Sequence, residues 1–261
     1  MPDFAKMARL DDEGFIVLGA GRGIGRQVCH ALAQAGAVLL CVDSDKEASA
    51  KIAAEVRGIP YTADIVTRSG MESVINVAQD KLQKPAGLID IVGRAIIGPI
   101  SDLNDDLYQE QHDIVFRHVW LAIQLGAPWL AAAGGGSIVI VGSISGVVPA
   151  PNQALYASQK AAVHHLARAA AVEYGPQGVR INTVAPGTTR TERLIELVGD
   201  GWPAIEATIP LRRVADPADI ASVALFLASP LSRQVSAQTI VVDGGVSSTV
   251  MRPPLQAPRK A

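Results

Sequence analysis

The clearest chemical feature of this 261-residue sequence is a phenol and an ammonium group four residues apart. Tyr156 and Lys160 lie in a segment of helical periodicity, so this spacing places both side chains on one face of a helix. A phenol with a pKa of about 10 is a poor base at neutral pH, but a nearby cation favours the phenolate. The pair therefore indicates general acid–base chemistry on a substrate oxygen.

A serine is placed where it could assist the same reaction. Ser143 follows the predicted strand 137–141, and the carboxyl ends of strands in an open α/β sheet face the ligand crevice. Its hydroxyl group could hydrogen-bond a substrate oxygen beside the tyrosine. Ser143, Tyr156 and Lys160 are therefore the candidate catalytic residues.

A glycine-rich loop indicates a nucleotide site. The sequence Gly-Ala-Gly-Arg-Gly-Ile-Gly occupies positions 19–25, where a predicted strand at 15–18 leads into a predicted helix at 23–35. Backbone without Cβ atoms can approach a pyrophosphate closely, and a helix N-terminus offers free N–H groups to the anion. This context predicts that a dinucleotide is bound by Gly19, Gly21, Arg22, Gly23, Ile24 and Gly25.

An acidic residue after the second predicted strand indicates which dinucleotide is bound. Asp43 follows the strand 38–42, about 20 residues beyond the glycines. A carboxylate there accepts hydrogen bonds from the adenosine ribose and repels a 2′-phosphate, which predicts NAD rather than NADP. Alternatively, Asp43 only caps the next helix, since aspartate is a favoured N-cap residue. Arg22 could attract a 2′-phosphate or be a solvated loop cation.

The order of the predicted elements is typical of a doubly wound α/β fold. Short apolar runs without alternation are separated by longer segments of helical period, as expected for parallel strands covered by helices on both faces. We therefore predict a Rossmann-type parallel sheet of about seven strands. The predicted strands are 15–18, 38–42, 59–61, 88–92, 137–141, 180–184 and 239–242, and the predicted helices are 23–35, 46–56, 68–83, 108–133, 155–174, 191–196 and 217–228.

The chain is predicted to form one domain. Residues 15–250 make up the NAD-binding Rossmann domain, and residues 1–14 are an N-terminal extension. Residues 188–212 are predicted to form a substrate lid, because this segment is rich in apolar side chains and has glycines as hinges. The tail 251–261 contains three prolines and is not expected to form a regular element.

Composition argues against several other classes of function. A net charge of −2, from 23 basic and 25 acidic residues, leaves no basic stripe for a nucleic acid. Residues 119–159 carry no charge, but prolines and glycines cut them into pieces shorter than the roughly 20 residues of a membrane span. Cys29 and Cys41 lie among apolar neighbours, which favours a reducing, cytoplasmic location. The five histidines lack metal-ligand spacing.

In the order and spacing of these residues the chain resembles the short-chain dehydrogenase/reductase family, in its short single-domain branch. The resemblance runs from about residue 15 to residue 245 and includes the glycine loop, Asp43 and the three candidate catalytic residues. Further matches are Asp64, the Asn-Thr-Val-Ala-Pro-Gly segment at 182–187, Thr191 and the Val-Asp-Gly-Gly segment at 242–245.

The resemblance implies a role for each of these residues. Tyr156 would be the general acid–base, Ser143 would steady the substrate oxygen, and Lys160 would lower the pKa of the tyrosine while holding the nicotinamide ribose. Asp64 and Ile65 would meet the adenine. The other implied cofactor contacts are Ala95, Pro186, Gly187, Thr189 and Thr191. In the family, the helices predicted at 108–133 and 155–174 form a dimer interface, and the usual assembly is a homotetramer, so this chain is expected to form a homo-oligomer.

Two departures from the family pattern concern the surroundings of Lys160. Where the family has Asn-Asn-Ala-Gly after the fourth strand, this chain reads Val-Gly-Arg-Ala-Ile at 92–96. Where the family has an asparagine that anchors a proton-relay water, this chain has Val115, followed by His118 where glycine is common. We expect Val115 to face apolar neighbours and His118, one turn further on, to offer a substitute proton route.

The predicted function is hydride transfer between NAD and a secondary alcohol or ketone, with a largely apolar or cyclic substrate. One alternative is a 3-oxoacyl-thioester reductase of lipid synthesis, although such enzymes usually prefer NADPH and Asp43 counts against that. Another is a dinucleotide-binding regulatory protein with weak turnover, suggested by Val115 and the Gly93-Arg94 change. The expected partner in each case is a small molecule.

Overall fold

A single parallel sheet forms the centre of the molecule. The structure is a computed structural model that describes residues 1–249, so the predicted tail 251–261 lies outside the described residues. Its strands are β1 Gly14–Leu18, β2 Val38–Asp43, β3 Ile59–Thr62, β4 Pro85–Asp90, β5 Gly136–Val141, β6 Val179–Pro186 and β7 Thr239–Val242. They pair in the order β3-β2-β1-β4-β5-β6-β7, and every pairing is parallel. The Rossmann-type prediction is confirmed.

Helices cover both faces of this sheet, as the uninterrupted apolar strands require. The longer ones are α2 Gly23–Gln34, α3 Lys46–Val56, α4 Arg68–Lys81, α5 Asp105–His112, α6 His118–Ala132, α7 Ala154–Tyr174 and α10 Pro217–Ala228. One apolar cluster joins the sheet to α4, α6 and α7, and the other joins it to α2, α3 and α10. The N-terminal residues carry a short helix, α1 Phe4–Met7, and Leu10 is fully buried.

Strand β4 begins and ends earlier than predicted. The strand starts at Pro85, which is tolerated as a first strand residue, and stops at Asp90, whose partner in β1 is Leu18. The chain leaves the sheet there because Asp90 turns its carboxylate onto the backbone N–H of Val92, at 3.1 Å. The predicted strand 88–92 was therefore misplaced by about three residues at its start and two at its end.

The long helix predicted at 108–133 is longer than expected and is not α-helical throughout. It starts at Asp105, where the Asn104 side chain accepts a hydrogen bond from the N–H of Leu107. A π-helical turn, Asp113–Arg117, separates α5 from α6, and Val115 is in the middle of that turn. Across α5, the π turn and α6 the helix is long and apolar enough to cross a membrane by composition, yet much of it is packed inside the protein as a core helix.

The predicted lid contains two short helices rather than one. These are α8 Glu192–Val198 and α9 Trp202–Thr208, joined by a turn at Gly199–Gly201. The Arg190 guanidinium donates to Glu206 at 2.7 Å and its Cζ lies 4.9 Å from the centre of the Trp202 ring. Both contacts tie the start of the lid to α9, and neither was anticipated from the sequence.

Candidate functional site

The glycine loop between β1 and α2 forms a cradle that side chains would fill. Gly19 has a φ of +78°, and a Cβ atom there would lie 2.9 Å from Val92 Cγ2. A Cβ atom on Gly25 would overlap the Gly19 carbonyl oxygen. No side chain caps the N-terminus of α2, so its first-turn N–H groups stay available to an anion. The loop therefore has the shape and polarity that a pyrophosphate group requires.

Asp43 does not cap the following helix. The N-cap of α3 is Asp45, which accepts hydrogen bonds from the N–H groups of Glu47 and Ala48. The Asp43 carboxylate instead accepts from the N–H of Gly21 at 2.9 Å and from the N–H of Asp45 at 3.0 Å. Asp43 thus lies against the glycine loop, where it joins the loop to the end of β2.

Next to Asp43 the loop opens into a cleft of about 80 Å³. Gly19, Asp43 and Asp64 line it together with the side chains of Ile65 and Val92. The family resemblance implied that Asp64 and Ile65 meet the adenine, and the structure brings both residues to Asp43. The apolar side chains of the cleft could contact a flat base, and the Asp43 carboxylate could accept hydrogen bonds from a ribose.

Arg22 points away from this cleft toward a neighbouring acid. Its guanidinium donates to the Asp45 carboxylate at 2.7 Å, and both side chains are largely exposed. Ile24 packs against the core beneath α2. Of the six loop residues predicted to bind a dinucleotide, Arg22 is therefore already engaged by an acidic partner.

The three candidate catalytic residues come together at the carboxyl end of β5. Ser143 follows that strand, and its hydroxyl lies close enough to the Tyr156 phenol to lower the pKa of that phenol. Lys160 Nζ lies 5.9 Å from the centre of the Tyr156 ring and donates to the Val141 carbonyl at 2.9 Å. The predicted helical face of Tyr156 and Lys160 is present in α7.

The pKa values of these groups are set mainly by burial. Burial raises the pKa of Tyr156, and the nearby Ser143 hydroxyl only partly opposes that rise. Burial also lowers the pKa of Lys160 to about 8, against a smaller opposite effect of the Asp90 charge. The resemblance implied a lowered tyrosine pKa, but here it is raised, since burial disfavours the phenolate.

The loop after β4 reaches both the glycine loop and Lys160. Val92 packs so closely against Gly19 that a Cβ atom added to this glycine would lie 2.9 Å from Val92 Cγ2. A Cβ atom added to Gly93 would lie 3.2 Å from Lys160 Nζ. Ala95 is further along, between Arg94 and Ile96, whose backbones are both hydrogen-bonded by the Gln111 side chain. The cofactor contact that the family resemblance implies for Ala95 stays a prediction.

Behind Lys160 lies a fully buried pair, Asp90 and His118. His118 Nδ1 is 2.9 Å from Asp90 Oδ2, and His118 Nε2 is 3.0 Å from the Ile114 carbonyl oxygen. A carbonyl oxygen only accepts, so Nε2 carries a hydrogen, and a second hydrogen must lie between Nδ1 and the carboxylate. The pair therefore holds one proton between two buried groups. Sequence reasoning did not find this pair.

These contacts change the expectations for the departures from the family pattern. Val115 is fully buried and packs in the apolar cluster, as predicted. The helical ladder opens there as a π turn without an asparagine, and the His118 side chain donates to Ile114 inside it. The hypothesis that His118 offers a proton route to solvent is not supported, since both nitrogens are engaged and the side chain has no exposed surface.

The remaining predicted cofactor residues follow β6 and run into the lid. The Gly187 N–H donates to the Val242 carbonyl at 2.9 Å, which holds Pro186 and Gly187 beside the end of β7. Thr189 is buried and bridges to Ala215. A Cβ on Gly23 would lie 3.2 Å from Thr191 Cγ2, so the start of the lid reaches the glycine loop. Between residues 1 and 249, no three His, Cys, Asp or Glu side chains are grouped as metal ligands.

Comparisons with known proteins cover nearly the whole chain. The family profile described as enoyl-(acyl carrier protein) reductase matches residues 19–247. Galactitol 2-dehydrogenase (L-tagatose-forming) of Cereibacter sphaeroides is 34% identical over 258 residues, covering 93% of this chain and 98% of that protein. The 7alpha-hydroxysteroid dehydrogenase of Escherichia coli (strain K12) is 33% identical over 246 residues, covering 91% of this chain and 95% of that protein.

Several solved structures have nearly the same fold as this chain. A 7 alpha-hydroxysteroid dehydrogenase complexed with NADH and 7-oxo glycochenodeoxycholic acid has a TM-score of 0.89 at 30% identity, covering 94% of this chain and 98% of that one. A short-chain type dehydrogenase/reductase from Mycobacterium marinum has a TM-score of 0.88 at 29% identity, covering 94% of this chain and 99% of that one.

Proposed function

Because this chain belongs to the short-chain dehydrogenase/reductase family, we propose that it is an NAD-dependent dehydrogenase of secondary alcohols. At the coarser level it is an oxidoreductase whose relatives act on alcohols and ketones. The observation that carries the proposal is the arrangement of three groups at the carboxyl end of β5. The Ser143 hydroxyl lies close to the Tyr156 phenol, and Lys160 is one helical turn beyond Tyr156.

The chemistry divides between the protein and the cofactor. When bound, the nicotinamide ring accepts or supplies the hydride. Tyr156 takes the hydroxyl proton from an alcohol or returns it to a ketone oxygen, and Ser143 donates a hydrogen bond to that same oxygen. Lys160 has a buried ammonium group directed to the end of β5, where it can hold ribose hydroxyls and a positive potential near the phenol.

The residues present fit an NAD molecule. The glycine cradle and the uncapped α2 N-terminus would hold its pyrophosphate, and Asp43 would accept hydrogen bonds from its adenosine ribose. The solved relative with NADH supports the same cofactor class. Asp43 already accepts two backbone hydrogens, so a 2′-phosphate would approach a fixed carboxylate.

The substrate that we propose is largely apolar, and a cyclic one would fit. The lid carries exposed apolar side chains at Ile195, Leu197 and Leu211. Val147, in the turn after Ser143, is exposed as well. The relatives include both a sugar-alcohol and a steroid dehydrogenase, so the support for an apolar substrate comes from the lid.

Assembly and location are further proposals. Trp120 on α6 and Val172 on α7 are exposed, and a homo-oligomer joined through these helices would cover them. Cys29 and Cys41 are free and buried, which is compatible with the cytoplasm.

A 3-oxoacyl-thioester reductase is the second candidate. The matching family profile favours it only in part, since its description names a reductase of a different acyl thioester, the enoyl-(acyl carrier protein). Because 3-oxoacyl-thioester reductases usually prefer NADPH, Asp43 counts against this candidate.

The decisive experiment combines cofactor binding with a substrate panel. NADH binding is followed by fluorescence, and alcohols, ketones and 3-oxoacyl thioesters are then tested through the absorbance of NADH. Tyr156→Phe should lower turnover by 10²–10⁴-fold, the typical contribution of a general acid–base, and leave NADH binding nearly unchanged.

The matched control is Tyr174→Phe, which makes the same change at the far end of α7. It should retain the activity of the unaltered enzyme. Loss of activity in both variants, or in neither, would contradict the assignment of Tyr156. NADH binding without turnover of any panel member would favour the regulatory alternative.

A further inference from the structure

Three residues of α7 line up toward the end of β5, and the third has no role in the proposed reaction. His164 lies one turn beyond Lys160 and two turns beyond Tyr156, so the three side chains share one helical face. The imidazole of His164 is buried, whereas that of His165, the next residue, is exposed. A buried histidine needs partners for its ring nitrogens, because an unsatisfied polar atom costs stability.

The partners of His164 lie in the turn that carries Ser143. The backbone N–H of Ser143 donates to His164 Nε2 at 3.4 Å. At the other end of the turn Ile144–Gly146, the ring packs directly against the backbone of Gly146, where a Cβ atom would lie 2.7 Å from His164 Cε1. The ring therefore bridges the two ends of the segment from which Ser143 presents its hydroxyl to Tyr156.

Two glycines make room for the ring. A Cβ atom on Gly142 would collide with His164 Nε2, and a Cβ atom on Gly146 would lie 2.7 Å from His164 Cε1. The turn and the ring are thus matched in shape: the backbone approaches the imidazole on both sides only because neither flanking position has a side chain.

The hydrogen-bond directions determine the form of the ring. A backbone N–H can only donate, so Nε2 must present its lone pair, and the remaining ring proton is on Nδ1. The pKa of His164 falls to about 4, because the ring is buried and because Lys160 and Arg168 add positive charge nearby, although the backbone of Gly146 acts in the opposite direction. A neutral ring is also required, since an imidazolium has no lone pair for Ser143.

We propose that His164 is a positioning residue that holds Ser143 in place as a neutral Nδ1–H imidazole bridging the turn at 143–146. This rests on the proposed function, because Ser143 is taken as the residue that steadies the substrate oxygen. Without the bridge, the Ser143 hydroxyl is less often beside the phenol of Tyr156. The expected consequence is a loss in turnover with little change in cofactor binding.

The variant His164→Leu puts an apolar side chain in place of the ring and removes the hydrogen bond with the Ser143 N–H. It should lower kcat by roughly twofold to tenfold, which corresponds to the net free energy of about one hydrogen bond, and leave the Kd for NADH unchanged. His164→Gln places an acceptor near the position of Nε2 and should recover most of the lost turnover. A purely space-filling role predicts the opposite order, with leucine at least as active as glutamine.

The matched controls are His165→Leu and His165→Gln, which make the same changes on the exposed neighbour and should leave kcat within twofold. Thermal denaturation checks that every variant is folded. If His164→Leu fails to fold, the comparison of His164→Gln with the unaltered enzyme still decides, because the loss of all turnover in that variant would overturn the proposal.

A spectroscopic readout separates this proposal from the proposed function. In enzyme labelled with ¹⁵N-histidine, long-range ¹H–¹⁵N correlation at neutral pH should show His164 with a protonated Nδ1 and an unprotonated Nε2, assigned by the signal lost in His164→Gln. A protonated Nε2, in either a neutral or a charged ring, would overturn the proposal. This measurement needs no substrate, so it stands even if Tyr156→Phe shows the proposed chemistry to be wrong.

Discussion

The two ends of the crevice use charge in different ways. At the end formed by the glycine loop, Asp43 binds backbone N–H groups and Arg22 pairs with Asp45 near the solvent. At the end around Lys160, the ammonium, the Asp90 carboxylate and the His118 imidazole have almost no exposed surface. Water screens the first set of charges and does not reach the second.

This difference decides how much each charge matters to the fold. An exposed ion pair contributes little to stability, whereas a buried charge that loses its partner costs several kcal/mol. We therefore expect substitutions around Lys160 to change folding and its pH dependence, and substitutions around Asp43 to change mainly the preference for one dinucleotide over another.

The largest expected effect is that of His118→Leu. This change leaves the Asp90 carboxylate buried without the proton and partner that it has now, so the free energy of unfolding should fall by about 3–5 kcal/mol. Urea denaturation of His118→Leu and of the unaltered protein at neutral pH measures this loss of free energy of unfolding. In the ¹⁵N-histidine spectrum of the unaltered enzyme, His118 should also differ from His164, with its Nε2 protonated.

The double variant Asp90→Asn/His118→Leu is the control for that loss. It removes the unpaired charge and keeps an acceptor for the Val92 N–H, so most of the lost stability should return. A loss below about 1 kcal/mol in His118→Leu would show that the buried pair is not held as the contacts indicate.

The next effect concerns the pH dependence of stability at Lys160. Its pKa is about 8 in the folded protein and near its ordinary value of 10.5 when unfolded. Between pH 8 and pH 10.5 the unfolded chain holds the proton of Lys160 and the folded chain does not. The contribution of Lys160 to the free energy of unfolding therefore rises with pH across this range. Relative to Lys160→Met, the unaltered protein should gain about 2–3 kcal/mol between pH 7 and pH 10.

Urea denaturation of both proteins across this pH range measures the difference between their free energies of unfolding. Lys46→Met is the matched control, because Lys46 is exposed at the start of α3. The difference in free energy of unfolding between Lys46→Met and the unaltered protein should not change with pH. If the Lys160→Met difference is equally flat, the ammonium group is not desolvated in the folded protein.

The smallest expected effect in free energy is that of Asp43→Ser. The unaltered enzyme should bind NAD(H) at least tenfold tighter than NADP(H), about 1.4 kcal/mol, because the carboxylate repels a 2′-phosphate. The serine variant should lose this preference or reverse it, as measured by fluorescence titration with NADH and NADPH.

Asp43 also ties the Gly21 N–H to the end of β2, so the loss of that bond needs its own control. Asp43→Asn keeps an acceptor for the two N–H groups and removes only the charge. Asp43→Ser and Asp43→Asn should both shift the cofactor preference away from NAD(H) and toward NADP(H). An unaltered enzyme that prefers NADP(H) would show that Asp43 does not meet the ribose.

The candidate site was partly predictable from spacing along the chain. Tyr156 and Lys160 are four residues apart on one helix, and that local rule also puts His164 on the same face. The imidazole was nevertheless missed, because its partners, Ser143 and Gly146, come from a different element. The same applies to Asp90, whose partner His118 is 28 positions away in sequence.

The sequence by itself determined the parallel sheet, the glycine cradle and the helical face of Tyr156, because each depends on residues close together in the chain. The tertiary structure alone decided where β4 ends, that Asp45 rather than Asp43 caps α3, and that a π turn surrounds Val115. It also determined how readily the buried groups of the site gain or lose a proton. The pKa values of Tyr156, Lys160 and His164 are shifted mainly by burial, which arises only when separate elements pack together.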